Sequence, residues 1–101
     1  MTETSLKNNV LKMIRDEFPD IWFYKTHDLC TSGIPDILMC QDGHLCAVEL
    51  KRPGYDYTKS KGWKLQKHII DRINACGGKA TVCTSVDEVR KFLKKEVRRN
   101  G

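Results

Sequence analysis

The sequence predicts an α/β sandwich in which helices pack on a mixed β-sheet, in the order α-β-β-β-α-β-α. Two observations support this prediction. Apolar residues recur every three to four positions over residues 3–18, 63–76 and 86–97, which is the period of an amphipathic helix. Between these segments, short apolar and β-branched runs are bounded by turn residues, as strands are. Strands that alternate with helices in this way favour a layered α/β domain.

The first predicted helix covers residues 3–18. Thr2 is a suitable N-cap, and Pro19 ends the helix because its ring cannot continue the hydrogen-bond ladder. Glu3 lies three and seven residues before Leu6 and Val10, so we expect it on the buried stripe. Two interpretations of Glu3 stay open: a metal ligand that reaches toward the sheet, or a first-turn acid that complements the helix dipole. The apolar stripe consists of Leu6, Val10, Met13, Ile14 and Phe18.

A first strand is predicted over residues 21–26, which are aromatic and β-branched. We expect Trp22 and Tyr24 to belong to the core rather than to a surface on which bases stack. Lys25 lies near the end of this strand. It is a candidate phosphate contact, although exposed lysines more often only keep a protein soluble.

The central feature of the sequence is a hairpin that turns at Asp42-Gly43. Asp-Gly between two β-rich runs favours a two-residue loop, because both turn residues must adopt a positive φ. In that register Gln41 faces His44, and counting back places Asp36 opposite Glu49. Residues directly opposite on antiparallel strands share a face, with Cβ atoms roughly 4.5–5.5 Å apart.

Lys51 lies two residues after Glu49, so it shares this face and joins the acid pair. Two like charges opposite each other destabilise a sheet unless a positive charge lies between them. A hard divalent cation would relieve the repulsion, and the lysine suits a phosphate or a metal-bound nucleophile. The alternative is that Glu49 and Lys51 are ordinary polar residues on a solvated strand face. The position of Asp36, directly after Pro35 and opposite Glu49, favours a site.

The remaining elements follow the hairpin. Residues 52–54 (Arg-Pro-Gly) end the third strand, and residues 63–76 form a second helix that Gly77 terminates. Residues 79–84 form a last strand. Ser85-Val86-Asp87-Glu88 is a capping box at the start of a last helix.

Basic and aromatic residues are interleaved between the third strand and the second helix. Arg52, Tyr57, Lys59 and Lys61 are candidate contacts to a nucleic-acid backbone, although each alone is a weak signal. Gln66 flanks the apolar stripe of the second helix. It could bond a ligand carboxylate or an attacking water, or it could be an ordinary helix-surface glutamine.

Charge is distributed unevenly along the chain. The net charge is +5, but residues 1–50 carry four Lys/Arg against eight Asp/Glu, and residues 51–101 carry fourteen against five. The acidic half holds the candidate metal ligands, and the basic half could hold a polyanion. A solvated helix face explains most of the basic residues near the end of the chain, which are Lys91, Lys94, Lys95, Arg98 and Arg99.

The length of 101 residues predicts a single domain over residues 1–101. No apolar stretch approaches the length of a membrane span, and the polar first residues do not resemble a secretory signal. The chain has five cysteines and no Cys-x-x-Cys pair, so we expect reduced thiols and a cytoplasmic protein. His27 and Cys30 have the spacing of half a zinc site, but chance spacing is the better interpretation because no second half follows.

These motifs resemble those of a known superfamily. Gly33-x-Pro35-Asp36, a hairpin and Glu49-x-Lys51 are similar to the core of the PD-(D/E)xK nucleases. The downstream segments resemble the VRR-NUC branch, and they are Gln66-Lys67-x-x-Ile70-Asp71-Arg72-Ile73-Asn74-Ala75-x-Gly77-Gly78 and Ser85-Val86-Asp87-Glu88-Val89. The resemblance covers nearly the whole chain. Asp…Glu-x-Lys alone is common, but its combination with the other motifs at these spacings is specific.

The resemblance implies a three-layer α/β/α PD-(D/E)xK core and a metal-dependent endonuclease that hydrolyses DNA phosphodiester bonds. Mg²⁺ or Mn²⁺ would be held by Asp36, Glu49 and the backbone carbonyl of Leu50. Sequences of the VRR-NUC branch carry an acid near the start of the first helix, which favours Glu3 as a further ligand, directly or through water.

The same resemblance assigns catalytic roles and a substrate. Lys51 would orient the nucleophile or stabilise the developing negative charge, and Gln66 would support that lysine or the water. Minimal members of the family resemble Holliday-junction resolvases, which implies branched DNA as the substrate. Cleavage of two strands would need two sites, most simply in a C₂ homodimer. Two other functions stay open: a non-catalytic nucleic-acid-binding module, and a toxin-like or regulatory protein that acts through protein contacts.

Overall fold

The computed structural model describes residues 2–27 and 33–94. Three helices and four strands follow one another in the predicted order. Continuation of the last helix to Val97, and the basic residues Lys95, Arg98 and Arg99, lie outside the described residues. The elements are α1 (Glu3–Glu17), β1 (Trp22–Lys25), β2 (Ile37–Gln41), β3 (His44–Leu50), a short 3₁₀ helix (Tyr57–Lys59), α2 (Trp63–Ala75), β4 (Lys79–Cys83) and α3 (Val86–Lys94).

The strands form one mixed sheet with the order β1-β2-β3-β4. β1 pairs antiparallel with β2, β2 pairs antiparallel with β3, and β3 pairs parallel with β4. A parallel pair needs a crossover connection, and α2 supplies it between β3 and β4. The prediction of an α/β domain with a mixed sheet is confirmed.

Side chains alternate along β3, so both faces of the sheet carry apolar residues, and helices pack on both faces. Cys46, Val48 and Leu50 join a core cluster with α1 and α3. Ala47 points to the other face, where it packs with Ile70 of α2 in a second cluster. Glu49 and Lys51 have the same parity as Ala47, so they belong to the α2 face of the sheet.

The helices are amphipathic, with buried residues on one side only. In α1 the buried residues are Leu6, Val10, Met13 and Ile14. In α2 only Ile70 is buried. Among the described residues, no helix combines the length and the apolar character that crossing a bilayer requires.

Side chains cap the helix starts. The Thr2 hydroxyl accepts a hydrogen bond from the Ser5 N–H at 3.0 Å, as the sequence predicts. At α3 the Ser85 hydroxyl accepts from the Glu88 N–H at 3.1 Å, which confirms half of the capping box. The Glu88 carboxylate, however, accepts from the Thr84 N–H at 2.7 Å, so the return bond lies one residue earlier than in the standard motif.

Gly33 brings the segment before β2 against α2. Its φ is +84°, and a Cβ at this position would lie 2.8 Å from the Leu65 side chain. A larger residue would therefore be strained by its backbone conformation and would also collide with α2. The close approach leaves Ile34 half-buried next to the sheet.

Asn74 ties the end of α2 to β4. Its amide accepts from the Ala80 N–H at 2.8 Å and donates to the Ala80 carbonyl at 3.1 Å.

We expect Asn74→Ala to lower the free energy of unfolding by about 1–3 kcal/mol, because both backbone groups of the buried Ala80 lose their partner. Urea unfolding would measure this loss. Asn9→Ala, at an exposed position of α1, is the control that should change stability little; equal stability of the two variants would contradict the assignment.

Candidate active site

The hairpin has the register that the sequence predicts. The turn residues Asp42 and Gly43 have φ values of 53° and 80°, as an Asp-Gly turn of two residues requires. The ladder starts with Gln41 opposite His44 and runs back to the pair formed by Ile37 and Val48. The next residue on each strand is a candidate site acid.

Asp36 lies one residue before the paired part of β2, where the chain bends. Its carboxylate replaces a backbone acceptor, since the Leu50 N–H donates to Asp36 Oδ2 at 2.8 Å. Thr26 fixes the Asp36 backbone: the Thr26 N–H and hydroxyl donate to the Asp36 carbonyl at 2.9 and 3.1 Å. The same hydroxyl donates to the Pro35 carbonyl at 2.8 Å. These contacts hold the Asp36 carboxylate beside the end of β3.

Lys7 of α1 pairs with the other oxygen of Asp36. Its Nζ lies 3.4 Å from Asp36 Oδ1, and about a quarter of each side chain is exposed. The sequence analysis did not identify this lysine. The signal was its spacing, because Lys7 lies four residues after Glu3 and therefore on the same face of the helix.

Glu49 is a buried acid at the end of β3, only 5% exposed. Its Oε2 lies 3.3 Å from the Lys51 ammonium. Its Oε1 is buried and has no hydrogen-bond partner among the described residues. A buried carboxylate oxygen without a partner is costly, so this atom is suited to a cation or a hydrogen-bond donor from outside the chain.

The pKa of Glu49 is raised from 4.5 to about 7. Burial is the largest cause, because it disfavours the charged form, and the Asp36 carboxylate adds to it. Lys51 lowers this pKa, and Glu3 raises it slightly. The carboxylates of Asp36 and Glu49 thus repel each other as the sequence predicts, and a lysine relieves only part of the repulsion.

Lys51 is itself buried, with 7% of its surface exposed. Its N–H donates to the Cys83 carbonyl at 3.0 Å, which extends the parallel pairing of β3 and β4 beyond Leu50. The backbone of Lys51 is therefore held by β4 while its ammonium faces Glu49. A lysine placed in this way is a fixed positive charge within the site.

The backbone carbonyl of Leu50 lies on the Asp36 side of β3. Peptide groups point alternately to the two neighbours of a strand, and a residue's N–H and carbonyl point to the same side. Because the Leu50 N–H donates to Asp36 and the Lys51 N–H donates to β4, the Leu50 carbonyl also points toward β2. This orientation fits the predicted ligand role of Leu50.

Glu3 does not lie where the sequence analysis placed it. The expectation that it belongs to the buried stripe is wrong, because Glu3 is exposed and the buried residues of α1 begin at Leu6. The first turn projects past the packed surface. Glu3 nevertheless lies near enough to influence the pKa of Glu49.

Gln66 lies in the first turn of α2, which packs on the same sheet face as Glu49. It is half-buried, and its Oε1 is buried without a hydrogen-bond partner among residues 2–27 and 33–94. Gln66 Oε1 therefore makes no hydrogen bond to Lys51, which is one of the two groups, the lysine or the water, that the resemblance expects Gln66 to support. In its described part the structure thus has two buried side-chain acceptors without a hydrogen-bond partner, and both belong to predicted site residues.

The oxygen atoms at this end of β3 fit a hard divalent cation. In the described part of the chain, no group of three or more His, Cys, Asp or Glu side chains could hold a metal ion. A cation would therefore depend on the carboxylates of Asp36 and Glu49, the Leu50 carbonyl and water. Mg²⁺ accepts such a set, since it keeps several water ligands and needs only one or two carboxylates.

The predicted nucleic-acid contacts lie mostly on the surface of the protein. Arg52 is exposed and stacks on the Tyr55 ring, with 4.4 Å from its guanidinium carbon to the ring centroid. Tyr57 is half-buried and meets Trp63 edge-on at 4.9 Å between ring centroids, so part of its role is packing. The remaining three, Lys25, Lys59 and Lys61, are exposed.

None of the described cysteines forms a disulfide bond. Cys40 and Cys76 are exposed, and Cys46 and Cys83 are buried. Burial raises the pKa of the Cys83 thiol to about 12, which makes it unreactive. Cys30, and with it the His27-x-x-Cys30 spacing, lies outside the described residues.

Comparison with protein-family models, with curated proteins and with solved structures gave no match to this chain. The functional argument therefore rests on the geometry of the residues above.

Proposed function

We propose that this chain is a metal-dependent endonuclease with a PD-(D/E)xK core of the VRR-NUC type, which hydrolyses DNA phosphodiester bonds. One observation carries the proposal. Glu49 is buried beside Asp36 and Lys51, with a raised pKa and one carboxylate oxygen that has no partner in the described part of the chain. Burial of a charged cluster at the end of a strand has a structural cost that a site for a cation and a phosphate explains.

The metal ligands in this proposal are Asp36, Glu49 and the Leu50 carbonyl. Bound Mg²⁺ or Mn²⁺ would lower the pKa of a water molecule and polarise the scissile phosphate. Glu3 is exposed, so its contribution would pass through a water ligand rather than a direct bond. Lys7 neutralises Asp36 in the absence of a cation.

Lys51 is the residue that meets the substrate phosphate. Its ammonium is fixed by the β-sheet and already lies 3.3 Å from a Glu49 oxygen, so it needs little reorganisation to stabilise charge that develops on the phosphate. Gln66 Oε1 is buried and has no partner in the part of the chain that the structure describes, so it could accept a hydrogen bond from the attacking water or from Lys51 once substrate is bound.

Branched DNA such as a Holliday junction is the substrate we propose. The candidate DNA contacts are mainly exposed basic side chains, which are Arg52, Lys59 and Lys61, so contacts to the backbone and the shape of the DNA would dominate over base readout. Cleavage of two strands of a junction would use a homodimer with one site per chain. The family resemblance supports both parts of this proposal.

A second candidate function is that of a non-catalytic nucleic-acid-binding module. Both candidate acids already have lysine partners: Lys7 for Asp36 and Lys51 for Glu49. Ion pairs of this kind can be purely structural. In that case the acids would support the fold, and only the basic residues between β3 and α2 would bind nucleic acid.

Cleavage assays separate the two functions. The wild-type chain is incubated with a four-way junction, a duplex and a single strand, in Mg²⁺, Mn²⁺ or EDTA. We expect cleavage that requires the metal, favours the junction and is lost in Asp36→Asn. The control is Asp71→Asn, an exposed acid of α2 that pairs with Lys67 outside the site, which should cleave normally.

Two outcomes would contradict the nuclease proposal. One is equal cleavage in EDTA and in Mg²⁺. The other is binding of the junction without cleavage in either metal, which would favour the non-catalytic module.

A further inference from the structure

Trp22 and Tyr24 form an exposed aromatic pair on β1. The expectation that they belong to the core is wrong, because their side chains are 63% and 52% exposed. Their rings are parallel to within 4°, with centroids 6.3 Å apart. β1 is an edge strand, and α2 packs on the sheet at Ala47 and Ala80, so the α2 face of β1 is left open and Leu38 of β2 is only partly covered.

The open face continues from β1 toward α2 as one apolar surface, which we call the aromatic shelf. Next to Tyr24, a cavity of about 420 Å³ is lined also by Thr26, His27, Ile34 and Leu38. The close approach of Gly33 to Leu65 joins this cavity to α2. The shelf is defined by Trp22, Tyr24, Ile34, Leu38 and Leu65.

Basic residues border the shelf at two places. His27 lines the shelf cavity and is exposed just past the end of β1, whereas Lys25 has the parity of Phe23 and belongs to the opposite face of the strand. On α2, a second cavity of about 450 Å³ is lined by Lys61, Lys64, Leu65 and His68. Among residues 2–27 and 33–94, no acid lines either cavity, whereas Glu17, Asp20 and Asp42 line a separate cavity at the turn end of the hairpin. The shelf therefore combines exposed π faces with a positively charged border.

We propose that the aromatic shelf binds unpaired nucleotides of the DNA substrate, with bases stacked on Trp22 and Tyr24 and phosphates near Lys61 and Lys64. Proteins that bind single strands combine aromatic platforms with basic grooves in this way. A second copy of this chain is a less suitable occupant, because it would bring the same basic border against itself.

The shelf lies next to the candidate active site. Thr26 lines the shelf cavity, and its hydroxyl donates to the Asp36 carbonyl at 3.1 Å. A single strand bound on the shelf would therefore lead to the cleavage site. The inference rests on the proposed nuclease function for the identity of the ligand, and within branched DNA it favours forms that carry an unpaired segment beside the cleaved bond over a fully paired four-way junction.

Binding is measured in EDTA, so that cleavage does not enter the result. A labelled oligothymidylate is titrated with the wild-type chain and its variants. Its length of about 16 nucleotides is the upper end of the site sizes known for single-strand-binding OB folds. We expect Trp22→Ala and Tyr24→Ala each to weaken binding by roughly 5- to 150-fold, the range for loss of one base–aromatic stack. Trp22→Phe keeps a ring and should retain most of the affinity.

A fluorescence readout reports stacking directly. The chain has two tryptophans, so Trp63→Phe leaves Trp22 as the only one. Its emission should be quenched by oligothymidylate but not by the same concentration of inorganic phosphate. Leu45→Ala is the matched control, since Leu45 is 46% exposed and extends the row of Trp22 and Cys40 across the sheet. Leucine has no π face, so this variant should bind normally.

Three results would overturn the inference. They are unchanged affinity in the Trp22→Ala, Tyr24→Ala double variant, an equal loss of affinity in Leu45→Ala, or conversion of a dimer to a monomer by Trp22→Ala without quenching by oligothymidylate. The last result would identify the shelf as an interface between copies of the chain. Stacking without any metal-dependent cleavage would instead leave the shelf intact and refute the nuclease proposal.

Discussion

Replacing Lys51 with methionine is expected to slow metal-dependent DNA cleavage by roughly 100- to 1000-fold, the effect of removing one preorganised donor from a transition state. Methionine matches the length of the lysine stem and suits a buried position, so the change removes mainly the charge. Lys51 is 7% exposed, and its ammonium lies 3.3 Å from a Glu49 oxygen. An ion from the solvent cannot replace the lost charge at such a buried position. Single-turnover rates at saturating enzyme would measure the effect on the chemical step.

The variant should remain folded. Removal of one partner of a buried ion pair usually destabilises a protein strongly, because it leaves a buried charge. Here Glu49 can take up a proton, since its pKa is already about 7. Lys67→Met is the matched control, because Lys67 lies on the exposed side of α2 and pairs only with Asp71 in the described part of the chain. Equal rates for the two variants would remove Lys51 from the mechanism.

The second large effect is a pH dependence of stability in the metal-free protein, measured in EDTA. The pKa of Glu49 is raised from 4.5 to about 7 in the fold. A raised pKa means that the folded state binds the proton more tightly, so the stabilisation is complete below about pH 4.5 and is lost as the pH rises through about 7. The full change corresponds to about 3 kcal/mol, at about 1.4 kcal/mol for each pKa unit.

Urea unfolding at pH 5 and at pH 8 would measure this change. Glu49→Gln should remove most of the difference between the two pH values, because glutamine does not titrate. Asp71→Asn, at an exposed acid, should keep the difference of the wild type. If the wild type and Glu49→Gln respond to pH alike, Glu49 is not the buried acid that the structure describes.

The hairpin was predictable because its determinants are local. Asp42-Gly43 fixes a two-residue turn, and the period of two then fixes which residues are opposite. The ladder from Gln41–His44 to Ile37–Val48 follows this count. The sequence did not show that the chain bends at Asp36, so that its carboxylate bonds the Leu50 N–H instead of extending the ladder.

The boundaries of α1 and α2 and the start of α3 were predicted to within one residue, but the burial of the first turn of α1 was not. The sequence placed α1 at 3–18, and the helix spans Glu3–Glu17. Helical spacing shows which residues share a face, but it does not show how far the neighbouring sheet extends. Glu3 has the spacing of the buried stripe and still lies beyond the packed surface. Lys7 was missed because helical spacing does not show which residue of a distant segment lies next to it, and its partner Asp36 is such a residue.

The exposure of Trp22 and Tyr24 depends on strand order, which no local pattern reveals. Alternation along β1 correctly separates these residues from Phe23, which packs against the main core. Whether the opposite face is covered depends on where α2 crosses the sheet. Because α2 covers β3 and β4, the aromatic residues of the edge strand stay open.

The central claim is that Asp36 and Glu49 together form a divalent cation site. A calorimetric titration of Mn²⁺ into the DNA-free chain, compared with Glu49→Gln and with the control Asp71→Asn, tests it most directly. We predict saturable binding of Mn²⁺ to the wild type and to Asp71→Asn. In Glu49→Gln, where a charged ligand becomes neutral, we predict that the affinity for Mn²⁺ falls by roughly 10-fold or more. Equal binding of Mn²⁺ to the wild type and to Glu49→Gln, or no binding to either, would contradict it.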